Sequence, residues 1–381
     1  MMPDVAHGFQ LHQSREAYTA VTEILEKLAS TQPDWRVGAT MHLPRQQLSY
    51  WSQVSDEWTS LAAFLVADPE SPRLDLSYDE RGRGRDDYDY LGESEPAANV
   101  ERFVSNVLQA QRYANATVLV SPWMLHGTSQ TEHELSTTIR FAEVALAQAS
   151  DEHLLMGIEA TEGVFANNEA RNAMINELVE GPELPMYLRM RVNPPAGYMP
   201  YQDGDALSGL REVVRSLDSN DRPVALPQSG LAGWLMCAFG ARSFGAGIAG
   251  SMQRTAAPAK GGGGLPPLHW YFLPQMLGFV LAEEVEDLAE LDGFNVCDCP
   301  YCDEELPGEG ASFDSTEAGR HFIWWCARLA SELDPGDPAR SINERVNAAL
   351  EFSSVVRDAG IQLDYRSRPT HLPVWRDVLD G

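Results

Sequence analysis

The chain has 381 residues, with 56 Asp and Glu against 28 Lys and Arg, a formal charge of −28. At 44% hydrophobic residues the composition is globular, and the length suits two or three domains or one α/β barrel with insertions. The charge excludes a basic nucleic-acid footprint at the level of the whole chain, and no apolar run approaches the roughly 20 residues that span a membrane.

Nearly all the positive charge is Arg, since Lys27 and Lys260 are the only lysines. Acidic, Lys-poor composition suits a salt-rich cytoplasm or a GC-rich genome. At high salt, screening acts within a few Å, so the charge reads first as a solubility device. Met1 to Arg15 shows no apolar run, and Asp4 stands where a secretory signal has a cation. Three of the five cysteines fall within six residues, which reads as metal use in a reducing compartment rather than a disulfide framework. A cytoplasmic location is therefore expected.

In chain order, short apolar runs alternate with helical patterns. The runs are Val37–Met41, Leu61–Ala67, Ala116–Ser121, Leu154–Ala160, Tyr187–Val192, Pro223–Pro227, Phe244–Ala249 and His269–Leu273. Near-continuous apolar runs suit strands buried on both faces of a parallel sheet. Helical patterns at Val100–Tyr113, Glu132–Gln148, Asn168–Glu180, Ala206–Leu217 and Gly233–Phe239 lie between them, and Asn99 marks a helix start. Eight strands alternating with helices predict an α/β fold, a (β/α)8 TIM-type barrel, although a doubly wound open sheet uses the same local patterns. The barrel is placed in residues 1–290, with an insertion at about 68–98 and a Gly-rich loop at about 255–267. Residues 291–381 are read as a zinc-binding and C-terminal helical subdomain.

Cys297, Cys299 and Cys302 form C-x-C-x-x-C, with Pro300 supporting the turn. Zn²⁺ takes four N or S ligands in a closed tetrahedral site, so a fourth ligand must come from elsewhere. His321 and Cys326 are the candidates. Cys326 joins Phe322, Leu329 and Leu333 in an apolar stripe at helical spacing, which explains it as a core residue. His321 lies off the stripe and is the better ligand.

A barrel ending in C-x-C-x-x-C and then a His on a helix resembles the tRNA-guanine transglycosylase family, which includes relatives that insert 7-deazaguanine bases into DNA. The stretch Leu226–Gly264 carries the same resemblance: a Gly-containing strand end, a helix, the turn Gly240-Ala241-Arg242, a strand from Phe244, and a loop with Arg254 and Lys260. The departures are specific. The family's nucleophilic Asp follows that Phe, and here the position is Gly245. The family's D-S-G-G-F-Q-like segment is absent, and counting to its usual metal-binding His lands on Arg328.

The resemblance implies a Zn²⁺ cofactor, a purine-type base with tRNA or DNA as partners, and pairing with a second copy or a related subunit. Base exchange needs a carboxylate to attack the anomeric carbon and a group to shuttle the proton. Asp68 is the expected nucleophile or base, and Glu159 its partner or the reader of a guanine-type edge. Bland roles stand beside these: Asp68 before Pro69 can start a turn, and Glu159 can pair with Arg189. Gln228, Ser229 and Gly230 offer groups for a flat base, and Arg254 and Lys260 can touch a polynucleotide backbone. Gly245 also fits a non-catalytic relative that positions a nucleic acid or a partner protein. A third reading is an unrelated barrel hydrolase or lyase.

Overall fold

The computed structural model describes residues 8–13, 18–43, 48–71, 99–129, 131–192, 199–248, 255, 270–291, 293–294, 297–302 and 315–381. The apolar runs form parallel strands because both their faces are covered, by the barrel interior on one side and by helices on the other. In order these are β1 (Gly8–Gln13), β2 (Val37–His42), β3 (Leu65–Asp68), β4 (Leu119–Val120) and β5 (Leu125–His126), then β6 (Leu154–Thr161), β7 (Met186–Arg191), β8 (Val224–Leu226) and β9 (Ala241–Gly247). Eight of them pair in the order β3-β2-β1-β9-β8-β7-β6-β4. A parallel bridge between Val66 and Val118 brings β3 beside β4 and closes the ring. β5 resumes the fourth strand after a break and pairs with the upper part of β6.

Between the strands run α1 (Tyr18–Thr31), α2 (Leu48–Trp58), α3 (Val100–Tyr113), α4 (Thr131–Gln148), α5 (Glu162–Ala166), α6 (Asn168–Glu180), α7 (Gly204–Asp218) and α8 (Gly230–Met236). The start signals work as side-chain caps. Asn99, Asn167 and Asp203 each accept a backbone N–H three residues on, satisfying donors that the first turn leaves orphaned. Gly209 lets α7 lie against α5, because a Cβ there would sit 1.9 Å from the Phe165 carbonyl oxygen.

The structure is the expected (β/α)8 arrangement, but two strands are assigned differently. The first barrel strand is Gly8–Gln13, a short run whose Gln10 and His12 break its apolar pattern. The run at His269–Leu273 is no barrel strand: β10 (Trp270–Leu273) pairs antiparallel with β11 (Gly278–Leu281) in a separate hairpin. After it come α9 (Glu284–Ala289), the Cys knuckle and α10 (Ser315–Ser331). α10 packs on α1, α8, β1 and β9, the place of the barrel's eighth helix. The hairpin and knuckle are thus inserted between the eighth strand and its helix. α11 (Pro338–Asp358) and α12 (His371–Asp380) finish the chain, with α12 against α7. The 68–98 insertion beyond Ser71 and the Gly-rich loop beyond Thr255 lie outside the described residues.

Two histidines are buried neutral in the helix layer. His126 sits beside Thr138 of α4, with 3.3 Å between Nε2 and the hydroxyl, and burial lowers its pKa to about 4 against a weaker pull from Glu159. His371 packs on Trp375, and burial lowers its pKa to about 3. A histidine titrating near ~6.5 when unfolded gives stability that is full above that pH. That stability declines as pH falls toward the folded values. The melting temperature is therefore expected to drop between about pH 6.5 and pH 4, and His126→Gln to flatten that slope. An unchanged slope in the variant would show that His126 is not the group responsible.

Candidate active site and metal centre

Strand register assembles a polar cluster at the C-terminal ends of the barrel strands. Successive strand side chains alternate faces, so Tyr187, Arg189 and Arg191 of β7 share one face. Glu159 lies directly opposite Arg189 in the pairing of β6 with β7, and His42 opposite Asp68 in that of β2 with β3. Arg189 is the hub. Its Nη1 donates to Asp68 Oδ2 at 3.1 Å, its Nη2 to Gln228 Oε1 at 2.6 Å and its Nε to the Thr255 hydroxyl at 3.1 Å. Glu159 Oε2 stands 3.6 Å from Nε. Arg191 Nε donates to the other Glu159 oxygen at 2.5 Å, and Trp123 Nε1 donates to Oε2 at 3.3 Å.

Asp68 is equally well held. The Tyr187 hydroxyl donates to its Oδ2 at 2.9 Å, and the Glu70 N–H donates to its Oδ1 at 2.8 Å. That second bond accompanies a left-handed φ of 44° at Glu70, which aims the Glu70 carboxylate at His42 Nδ1, 2.8 Å away. Burial opposes the charged guanidinium of Arg189, but Asp68 and then Glu159 outweigh it and hold its pKa above the ordinary value. Burial, then the charge of Asp68, pushes the Tyr187 hydroxyl well up, so it remains a donor. In a medium of low effective dielectric these pairs are strong, and either charge is costly without its partner.

The structure brings Asp68 and Glu159 together through one guanidinium, and Gln228 joins them. Gln228 has φ 47°, which turns its side chain inward, where its amide faces His42 Nε2 at 3.5 Å. Ser229 caps the turn instead, donating to the Leu226 carbonyl at 2.5 Å, and Gly230 opens α8 with φ 55°. Arg254 and Lys260 lie outside the described residues. His126 faces the helix layer and takes no part in the cluster. Gly245 lies inside β9, opposite Gln10, and its carbonyl accepts the Ser229 N–H. The sequence reading did not single out Arg191, Tyr187, Trp123 or Thr255. The available signal was in MYLRMR, where two Arg two residues apart interrupt a buried strand on one face.

The metal centre lies outside the ring. Cys297, Cys299, Cys302 and His321 are all buried, with one donor atom each inside a 4.8 Å circle, an arrangement that can hold a metal ion. His321 Nδ1 stands 3.7, 3.3 and 3.2 Å from the three sulfurs in chain order. Its Nε2 lies 2.7 Å from the Phe272 carbonyl, which can only accept, so the proton sits on Nε2 and the Nδ1 lone pair points at the sulfurs. Tyr271 stacks on the ring at 4.4 Å and its hydroxyl reaches Cys302 Sγ at 3.6 Å. Trp325 Nε1 donates to Cys297 Sγ at 3.2 Å. Hydrogen bonds among the three sulfurs draw the Cys297 thiol far below its usual range and push those of Cys299 and Cys302 above theirs. Cys326 is buried on the same helix but apart from the cluster, and burial pushes its thiol well up. It is the core residue of the apolar stripe.

Replacing the hub should cost more than replacing any one partner. Arg189→Met leaves Asp68 buried without its guanidinium, while Glu159 keeps Arg191, and a loss of roughly 3–5 kcal/mol is expected. Urea unfolding of Arg189→Met beside Gln228→Ala and Thr255→Ala checks this; equal losses in the three would mean that Arg189 is not the hub.

No family model matches the chain, and no curated protein matches it. Among solved structures, a glycerol-complexed crystal structure of the fructuronate-tagaturonate epimerase UxaE from Cohnella laeviribosi is similar over 98% of this chain and 81% of that one. The identity is 11% and the TM-score 0.32, a likeness too slight to carry an argument about fold or chemistry.

Proposed function

We propose that this protein is a divergent, zinc-containing relative of the tRNA-guanine transglycosylases that exchanges or recognises a guanine or 7-deazaguanine base in tRNA or DNA. The observation that supports this reading is the pair of buried carboxylates, Asp68 and Glu159, fixed by one guanidinium at the C-terminal strand ends, where barrel active sites lie. In this reading an Asp68 oxygen bonds to the anomeric carbon as the glycosidic C–N bond breaks. The departing base takes up a proton from solvent water, and an incoming base displaces the Asp68 oxygen from the anomeric carbon as a new C–N bond forms, giving its proton to solvent. Arg189 and Tyr187 fix the orientation of the carboxylate. Glu159, steadied by Arg191 and Trp123, accepts N–H groups from the base edge. Gln228 is held by Arg189 beside them.

The four-residue cluster suits zinc in particular. Thiolates and an imidazole are its preferred donors, and Zn–S near ~2.3 Å with Zn–N near ~2.0 Å puts tetrahedral S···N edges at about 3.6 Å. The edges here run from 3.2 to 3.7 Å. With four protein ligands the site is closed, so zinc would supply structure rather than a reacting water. Purified protein should hold about one zinc per chain. Cys299→Ser should lose it, with a lower melting temperature and titratable thiols. Metal-free protein with three freely titrating thiols would remove zinc from the reading.

One specific observation favours a second reading, a non-catalytic subunit that positions a nucleic acid or partner protein. The family's nucleophile position is Gly245, and both oxygens of Asp68 already accept hydrogen bonds. Incorporation of radiolabelled guanine or a 7-deazaguanine into tRNA and into duplex DNA separates the two. The catalytic reading expects incorporation that falls by at least about a hundredfold in Asp68→Asn and Glu159→Gln. Incorporation that ignores both substitutions would place the catalytic residues elsewhere, and none with either polymer would leave the subunit reading.

A further inference from the structure

Away from the barrel mouth, a cavity of about 480 Å³ lies behind the metal centre, between α10, α11 and the turn at Pro274–Met276. Its walls include Gln275, Cys297, Trp325, Arg328, Arg345 and Phe352. The Trp325 indole is pinned by its N–H bond to Cys297 Sγ, and both guanidinium groups lie over it, Arg328 at 4.6 Å and Arg345 at 5.7 Å. The two are not alike. Arg328 is neutralised, donating to Asp298 at 2.6 Å and to Glu332 at 2.8 Å. Arg345 has no such partner: among the described residues none of its nitrogens makes a hydrogen bond or ion pair, whereas Arg171, Arg211 and Arg320, whose Nε is likewise unbonded, each bond through another nitrogen. Burial holds its guanidinium below the ordinary value, and Arg328 adds to that against a pull from Glu332.

Where this fold buries a guanidinium for structure, it supplies acceptors. Arg189 has Asp68, Gln228 and Thr255. Arg171 has the Phe165 carbonyl, Asn168 and Glu212. Arg222 is wrapped by the carbonyls of Val179, Gly181 and Pro182. Arg345 departs from that pattern on the wall of an open cavity. An uncompensated, partly buried cation is a standing cost, recovered when an anion arrives. The cavity falls in the size range of small-molecule sites, and Phe352 with the indole gives it flat apolar walls.

We propose that this cavity binds a small organic phosphate, its oxyanion on Arg345 and its flat body against Phe352 and Trp325. Phosphate fits better than carboxylate. It offers three acceptor oxygens and nearly two charges to a fork of unused donors, whereas carboxylates already occupy the neighbouring Arg328. The site is separate from the barrel mouth and does not depend on base exchange.

Phenyl phosphate is the probe, because it carries the ring and the oxyanion without a purine. Isothermal titration of the metal-loaded full chain should show saturable binding at one site, with inorganic phosphate and benzoate each weaker. Arg345→Gln should weaken it by about tenfold or more. Ala348→Phe, which fills the cavity from its exposed rim and keeps the charge, should do the same. Asp68→Asn at the barrel mouth should leave it unchanged. In phosphate-free buffer Arg345→Gln should melt no lower than the parent, since it removes an unpartnered cation. The proposal is overturned by absence of saturable binding, by benzoate binding as tightly as phenyl phosphate, or by affinity that survives both cavity variants. Loss of binding in Asp68→Asn, or a marked drop in the melting temperature of Arg345→Gln, also overturns it.

Discussion

Placing the Arg189 guanidinium inside a closed ring of strands imposes the condition that the rest of the barrel mouth meets. The ion is almost entirely out of water, so its charge and its N–H groups must be answered by side chains from other strands. Asp68 comes from β3, Glu159 from β6, Gln228 from the turn after β8, and Thr255 from beyond β9. No two of these are near in sequence. The condition is met only once the ring has closed, so the polar cluster both reports closure and enforces its register. A one-residue slip of β7 would turn Arg189 toward the helices, where there is no acceptor set for it.

The metal centre solves a different problem. The knuckle from Cys297 to Cys302 is too short to bury a core of its own, and it must be fixed to the hairpin before it and the helix after it. His321 does this from α10, the helix that packs on β1 and β9, while Phe272 and Tyr271 of β10 orient its ring. A metal ion held there would join the knuckle to the barrel's eighth helix through four bonds. The donors around the sulfurs, Trp325 and Tyr271, stabilise thiolate charge in a site with little water. The same indole forms the floor under Arg345, so the metal centre and the neighbouring cavity share one wall.

Much of the fold was legible in the sequence because parallel strands covered on both faces read as continuous apolar runs. Val37–Met41 and Leu154–Ala160 fell almost on β2 and β6. Asn99 was legible because capping is local chemistry. The first strand was not, since Gln10, whose amide donates to Ser243 inside the ring, reads as surface in a linear chain. The run at His269–Leu273 read as a barrel strand because apolarity does not say which sheet a strand joins. At the site, Asp68 and Glu159 were legible as carboxylates at strand ends and Arg189 as a partner for Glu159. The convergence of both carboxylates on that one guanidinium was not.

The sequence by itself determined the alternation of strand and helix and the cluster of three thiols, and it narrowed the fourth ligand to His321 or Cys326, because these rest on periodicity and short spacing; the structure places His321 with the thiols. Tertiary structure alone decided that Gly8–Gln13 closes the ring, that α10 is the barrel's eighth helix as well as the carrier of His321, and that Arg189 links β3 to β6. It also decided that Arg345 stands beside a cavity with no ion-pair partner among the described residues. Each of these depends on residues tens to hundreds of positions apart meeting at a few Å, and such meetings are set by packing of the whole chain, which no local pattern encodes.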